Sequence, residues 1–253
     1  MLRMDVQLIR NATLRIEIGG SRFLVDPMLD PAGARPSVEG SPQPRRNPLV
    51  ELPMSPEQVM DGIDAVLITH LHADHFDETG ARLLAAGPPV YCQPGDVETL
   101  EGRGITSPQP VDPAVQIGDI TVQRTGGRHG VGEVAEALGP VSGFVLDDGT
   151  VSLYVAGDTI WCDEVAEVIE RHRPDAVVVN AGGARFVDSE RLIMDAEDVA
   201  ALCAAHPGLP VIAVHLEAID HCLLTRDELR KATSQLRVSV PEDGETVTVD
   251  SAA

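Results

Sequence analysis

Thr69-His70-Leu71-His72-Ala73-Asp74-His75 is the stretch that decides the fold. Three imidazoles and one carboxylate stand between His70 and His75. The preceding run, Ala65–Thr69, is largely apolar and predicts a strand buried on both faces. Ligand-binding groups in mixed α/β folds stand where such strands end. Imidazole nitrogen and carboxylate oxygen suit zinc, iron, manganese and similar divalent ions. In an extended segment His70 and His72 point to one side. Asp74 and His75, at the start of the following helix, then face a second position. Such spacing supplies two adjacent metals rather than one closed site. A cluster this dense beside a buried strand has little packing use.

Working outward, Val6–Ile9, Thr13–Ile18 and Arg22–Val25 predict a strand meander, with Gly19–Gly20 as a tight turn. Residues 28–56 are rich in Pro, Gly and Arg without a period, and a loop this long is expected to lie over a site. Asp77–Ala86 predicts a helix ended by Gly87–Pro88, and Pro89–Gln93 a short strand. Val115–Ile117 and Ile120–Gln123 predict a hairpin. The second half repeats this grammar, with strands at Ser142–Leu146, Val151–Val155, Ala176–Val179, Pro210–Val214 and Thr246–Val249. Helices are predicted at Asp163–His172, Ala196–Ala205 and Thr225–Gln235, the last capped by Thr225. Neither a linker nor a repeat interrupts the pattern, so residues 1–253 read as one α/β domain. Two strand-rich halves would pack sheet on sheet with helices outside.

The composition limits the partners. The 253 residues carry 19 Lys+Arg against 40 Asp+Glu, a formal net charge of −21. Such a surface repels phosphate backbones and anionic lipid, so neither nucleic acid nor membrane is expected as a partner. At 43% hydrophobic and 3% aromatic, the core must be built from aliphatic side chains. The apolar runs fall far short of a membrane span, and the N-terminus lacks a signal-peptide core. Cys92, Cys162, Cys203 and Cys222 are widely spaced and read as reduced thiols. A cytoplasmic location is the expectation.

The pattern H-x-H-x-D-H, here His70, His72, Asp74 and His75, resembles the metallo-β-lactamase superfamily. Arg10-Asn11-Ala12-Thr13 and Phe23-Leu24-Val25-Asp26-Pro27 are similar to its opening hairpin. Gly127-Arg128-His129-Gly130, Ala156-Gly157-Asp158-Thr159 and Ala213-Val214-His215 are similar to its third-histidine, bridging-aspartate and last-histidine motifs. The order of the motifs is right, and the branch resembled is that of ascorbate-6-phosphate lactonase-like hydrolases. Asn11 departs from the histidine many relatives in that branch carry. The resemblance implies an αββα four-layer sandwich of two mixed sheets. It also implies a metal held by His70, His72 and His129, a second held by Asp74, His75 and His215, and Asp158 as the bridge. Two divalent ions sharing a water would give hydroxide at neutral pH, with zinc first and manganese or iron also fitting the ligands. Asp74 would in addition take or orient a proton.

Taken singly, His129 reads as a surface-loop histidine, Asp158 as a turn residue capping the next helix, and His215 as a satisfied core histidine. Together with the dense cluster they read as ligands. Several other residues are candidates for contacts near the site. Trp161 would sit at the pocket rim or simply pack. Glu217 and His221 would orient a ligand or shuttle a proton. Asn180 would donate to a substrate oxygen or hold a turn. Arg35, Arg45 and Arg46 in the long loop would suit an anionic substrate, or lie in solvent. His172 and His206 are assigned to helix C-termini. The function expected is hydrolysis of a small-molecule ester, lactone or phosphoester. The alternatives are a mononuclear iron thiol or persulfide oxygenase and a non-catalytic binding protein on the same fold.

Overall fold

A computed structural model describes residues 3–250. The chain opens with β1 (Arg3–Arg10), β2 (Thr13–Ile18) and β3 (Ser21–Val25). After the long loop come α1 (Pro56–Met60), β4 (Ala65–Ile68), α2 (Glu78–Leu84), β5 (Val90–Cys92), α3 (Val97–Gly102) and β6 (Gln109–Pro110). The second half contributes β7 (Ala114–Ile117), β8 (Ile120–Thr125), α4 (Gly132–Leu138), β9 (Gly143–Asp147), β10 (Ser152–Val155), α5 (Asp163–His172) and β11 (Ala176–Asn180). It ends with α6 (Ala196–Ala205), β12 (Val211–Val214), α7 (Arg226–Ala232), β13 (Val238–Ser239) and β14 (Thr246–Asp250).

Two seven-stranded mixed sheets result, ordered β14-β1-β2-β3-β4-β5-β6 and β13-β12-β11-β10-β9-β8-β7. In each, an antiparallel meander passes into a parallel run: β3–β4–β5–β6 in one, β10–β11–β12–β13 in the other. The central parallel strands are apolar on both faces because each face has a cover. Ala65 and Leu67 of β4 meet Val178, Ile212 and Val214 in the core between the sheets. Val66 and Ile68 turn outward under α2 and α3. Val177, Val179 and Ala213 do the same under α5, α6 and α7. This alternation makes the four layers of the αββα sandwich.

Helix ends follow local chemistry. Asp77 caps α2 by accepting from the Gly80 amide, so that helix is shorter than Asp77–Ala86. Thr225 and Glu228 form a capping box that starts α7, which ends at Ala232 rather than Gln235. Ser55 and Gln58 form another at α1, a signal the sequence carries and the period-based reading passes over. The short helices α3 and α4 are likewise absent from that reading, being too brief to display a period. Residues 28–56 form no regular element before α1, and Arg35 and Asn47 make an isolated bridge within them. Among the described residues no helix is long and apolar enough to cross a membrane.

Candidate metal centre

The site lies where strands of both sheets end. His70 leaves β4. The chain then turns sharply, with the amides of His75 and Phe76 both donating to the His72 carbonyl, at 2.9 and 3.0 Å. Asp74 and His75 therefore sit in a tight turn before the helix cap, not in the first turn of a helix. Asp158 follows β10 through Gly157, whose φ is +71° and whose absent Cβ would lie 2.5 Å from the Ser142 carbonyl oxygen. Asp158 caps no helix, since the N-cap of α5 is Cys162. His215 follows β12 with φ 65°, and its amide donates to the Asn11 carbonyl at 2.9 Å. His129 lies in a glycine-bearing loop clipped to Thr159: the Arg128 amide donates to Thr159 Oγ1 at 2.9 Å, and the Ile160 amide to the Arg128 carbonyl at 2.9 Å.

Four imidazoles converge on one carboxylate. Asp158 Oδ2 lies 3.2 Å from His75 Nε2, 3.4 Å from His129 Nε2 and 3.9 Å from His70 Nε2. Its Oδ1 lies 3.8 Å from His215 Nε2, which is also 3.3 Å from Asp74 Oδ2. His72 Nδ1 approaches His70 Nε2 to 2.9 Å. Three groups of donor atoms lie within 4.8 Å of one another: His70/His72/His129, His70/His75/Asp158 and Asp74/His75/His215. Borderline nitrogen and hard oxygen donors at this density fit divalent first-row ions, and each group could hold one.

Four of the five rings, those of His70, His75, His129 and His215, are fixed from behind, which aims the other nitrogen inward. His75 Nδ1 donates to Asp26 Oδ2 at 2.7 Å and His129 Nδ1 to the Leu192 carbonyl at 3.0 Å. A backbone carbonyl can only accept, so His129 Nδ1 carries a proton, and the Nε2 atoms of both rings are turned to Asp158. His70 Nδ1 meets Thr69 Oγ1 at 3.1 Å, and His215 Nδ1 meets Cys222 Sγ at 3.3 Å. Asp26 is a hub: it also accepts from the Thr69 amide at 2.8 Å and the Thr69 hydroxyl at 2.7 Å. Asn180 donates to Asp158 Oδ1 at 2.6 Å, and Asn11 Nδ2 to the Asp74 carbonyl at 2.9 Å.

Charge is distributed by competition between burial and neighbours. Burial opposes the ionised form of Asp158, yet the imidazoles of His75 and His215 hold its carboxyl well below the usual carboxylate range. Burial likewise disfavours a charged His75, but Asp158 and Asp26 outweigh it and raise the ring to about 10. His70 goes the other way, pushed well below the ordinary histidine value by burial and by His75. The pocket therefore binds positive charge on its carboxylate side, where metal ions would displace protons.

A cavity of about 370 Å³ opens over this floor. His72, Asp74, His129 and Asp158 line its base, and Val38, Leu138, Phe186, Leu192 and Ile219 give it an apolar wall. The long loop supplies one side through Arg35–Val38 and Asn47, so it does lie over the site. Two buried residues outside the loop hold it there. Arg10 donates to the carbonyls of Val50, Met28 and Asp30 at 2.9, 3.0 and 2.8 Å. The Asp220 carboxylate accepts from the Ser37 hydroxyl, the Val38 and Arg45 amides and Asn47 Nδ2 at 2.5, 3.3, 3.0 and 2.8 Å.

Of the remaining candidates, His221 lines the cavity. Asn180 lies behind Asp158, to which it donates, and does not line the cavity. Trp161 is not part of the cavity wall; it packs among the helices over the second sheet, edge-on to His206 with centroids 5.9 Å apart. Glu217 is engaged elsewhere, accepting from Arg226 Nη1 at 2.7 Å. Arg45 and Arg46 are exposed, and only Arg35 of the three loop arginines reaches the cavity. His172 closes α5 and His206 caps the C-terminus of α6, as expected. Sequence reading missed Asp26, Asp220 and Arg10. Asp26 carried one signal, its place directly after the apolar run of β3; the parallel pairing of Val25 with Leu67, which only the structure shows, sets it beside Thr69.

Fold and site together define a metal-dependent hydrolase of the metallo-β-lactamase class. The chain belongs to the beta-lactamase superfamily, whose domain model, described as "Beta-lactamase superfamily domain", matches residues 21–216. It is 36% identical to UPF0173 protein YddR of Bacillus subtilis, covering 97% of this chain and all of that one. It is 25% identical to a UPF0173 metal-dependent hydrolase of Methylobacterium nodulans, with the same coverage. Among solved structures, a possible metal-dependent hydrolase from Veillonella parvula superposes with a TM-score of 0.92 at 30% identity, over 96% of this chain and 98% of that one. An isothiocyanate hydrolase from Delia radicum gut bacteria superposes with a TM-score of 0.92 at 33% identity, over 98% and 100%. None of these four carries the name of an ascorbate-6-phosphate lactonase.

Proposed function

We propose that the chain hydrolyses a small, neutral electrophile with an apolar substituent, in the first instance an isothiocyanate. The observation that carries this reading is the cavity, which sets an apolar wall of Val38, Leu138, Phe186, Leu192 and Ile219 against a floor of histidines and carboxylates. The wall suits a hydrocarbon group, and the floor suits the reacting carbon and the water that attacks it. The similarity to an isothiocyanate hydrolase adds support. A neutral substrate is favoured over an anionic one because the wall is apolar and because the charge of Arg35 at its rim is partly balanced by Asp30, 3.6 Å away.

His70, His72 and His129 would hold one divalent ion, and Asp74, His75 and His215 a second, with Asp158 shared between them. Zinc suits these donors first, and manganese or iron also fit. Bound there, such ions lower the pKa of water towards neutrality and stabilise developing negative charge. The protein's part is orientation. Asp26, Leu192 and Cys222 fix the histidine rings, Asn180 fixes Asp158, and Asp74 faces the cavity, where it accepts a proton from the attacking water. Addition of water to the central carbon of R–N=C=S, with a proton delivered to nitrogen, gives a thiocarbamic acid. Loss of carbonyl sulfide then leaves the amine.

Protein loaded with zinc or manganese is mixed with benzyl isothiocyanate, with p-nitrophenyl acetate as the ester comparison, and amine release is followed. The expected result is turnover of the isothiocyanate, lost together with bound metal in His70→Ala and Asp158→Ala. Metal-loaded protein that releases no amine refutes the substrate class.

A further inference from the structure

Five of the eight histidines belong to the donor groups, and His172 and His206 sit at helix ends. His221 has neither role. Its side chain belongs to a residue only 6% exposed, and it lines the cavity with His72, Asp74 and Asp158. Its Nδ1 is closed off from solvent without a hydrogen-bond partner. A buried polar atom left unpaired is destabilising and calls for a partner such as a ligand or an ordered water.

The ring is nevertheless held in place. It stacks on Phe186 with centroids 6.1 Å apart and planes at 16°. The His221 carbonyl accepts from the Arg185 amide at 3.0 Å, the Cys222 amide donates to the Ile219 carbonyl at 3.1 Å, and the preceding residue is the Asp220 hub. An imidazole fixed by stacking and by its backbone, but with unspent hydrogen-bonding capacity, is preorganised for a ligand. Burial also pushes the ring below the ordinary histidine value, so at neutral pH it keeps one N–H donor and one lone pair.

We propose that His221 is a substrate-contacting residue that hydrogen-bonds a heteroatom of the electrophile, with Phe186 and Ile219 beside it receiving the apolar substituent. The contact orients the N=C=S group, or a carbonyl in the same place, over the carboxylate floor. The inference rests on the substrate reading above for the identity of that heteroatom, but the contact itself is measurable without turnover.

The test uses metal-loaded protein and N-benzylthiourea, an unreactive analogue with the same N–C–S skeleton, titrated by calorimetry. His221→Phe keeps an aromatic ring against Phe186 and removes the hydrogen bond, while His221→Gln restores a donor and an acceptor. The expected result is a Kd raised about tenfold or more in His221→Phe and partly recovered in His221→Gln, with metal content and Tm unchanged. In turnover, KM should rise more than kcat falls. Equal Kd in wild type and His221→Phe overturns the inference, as does loss of metal in His221→Phe, which would assign the ring to the metal centre. Wild type that binds the analogue through His221 but releases no amine supports the contact and refutes only the substrate reading. Wild type that does not bind the analogue at all overturns both.

Discussion

Asp220→Ala isolates the contribution of the long loop. Asp220 is 2% exposed, and its carboxylate accepts from Ser37, Val38, Arg45 and Asn47, all within residues 37–47. Hydrogen bonds to an ionised acceptor contribute roughly 1.5–3 kcal/mol each. The two amide donors regain water if the loop lifts, so the two shorter side-chain bonds, from Ser37 and Asn47, set a lower estimate of about 3 kcal/mol. That weakens loop closure by roughly 100-fold. The loss falls on local opening rather than on global unfolding, because Arg10 still holds residues 28–50 at their ends and neither sheet is touched. Hydrogen exchange at the Val38 and Arg45 amides should accelerate strongly, KM should rise by up to roughly the same factor as closure weakens, and bound metal should stay constant. Burial works to raise the Asp220 pKa, but bonds from Asn47 and Ser37 outweigh it and hold the group below its ordinary value. The sign follows: the latch is intact above the usual carboxylate range and is lost as pH falls through the lowered value, so near-neutral pH leaves it closed. Unchanged exchange at residues 37–47 together with an unchanged KM would refute the reasoning.

Three further outcomes are expected. Asp26→Asn leaves His75 Nδ1 without its carboxylate and should lower metal affinity roughly 10- to 100-fold, read by competition with a chromogenic chelator; unaltered affinity counts against Asp26 as the group that aims His75. Gly182→Ala places a Cβ 2.1 Å from the His215 carbonyl oxygen, and should destabilise the fold by more than about 2 kcal/mol and displace His215; an unchanged Tm contradicts this packing. Removal of metal by a chelator should lower Tm, with recovery on adding zinc, because ions bound by the folded donor groups stabilise that state; identical melting with and without chelator excludes a bound ion.

Much of the fold was legible because burial on both faces leaves a plain mark. Val66 and Ile68 must find helices while Ala65 and Leu67 find the other sheet, and only an uninterrupted apolar run satisfies both. The helices Asp163–His172 and Ala196–Ala205 emerged with the predicted bounds. Short helices such as α3 and α4 did not, since a turn or two carries no period. Trp161 follows Asp158 by three positions, yet the chain turns away after Asp158 and carries the indole to the outer layer. Glu217 is close in sequence to His215, but φ values of 65° and 61° at the two residues redirect the chain, and Arg226 takes the carboxylate.

The sequence by itself determined the donor chemistry: which side chains carry imidazole or carboxylate, and that they cluster at the ends of apolar strands. Ligand-type residues and strand runs are local properties, visible within a few positions of one another. The tertiary structure alone decided what stands behind and above those donors. Asp26 reaches His75 across 49 positions, Leu192 reaches His129 across 63, and Asp220 reaches Ser37 across 183. Such contacts depend on strand register and on where a loop returns, and no local pattern encodes them. The charge of −21 is likewise a whole-chain property; the folded site concentrates Asp74 and Asp158 among histidines and sets an apolar wall over them. That juxtaposition, rather than the net charge, is what the proposed small neutral substrate would meet.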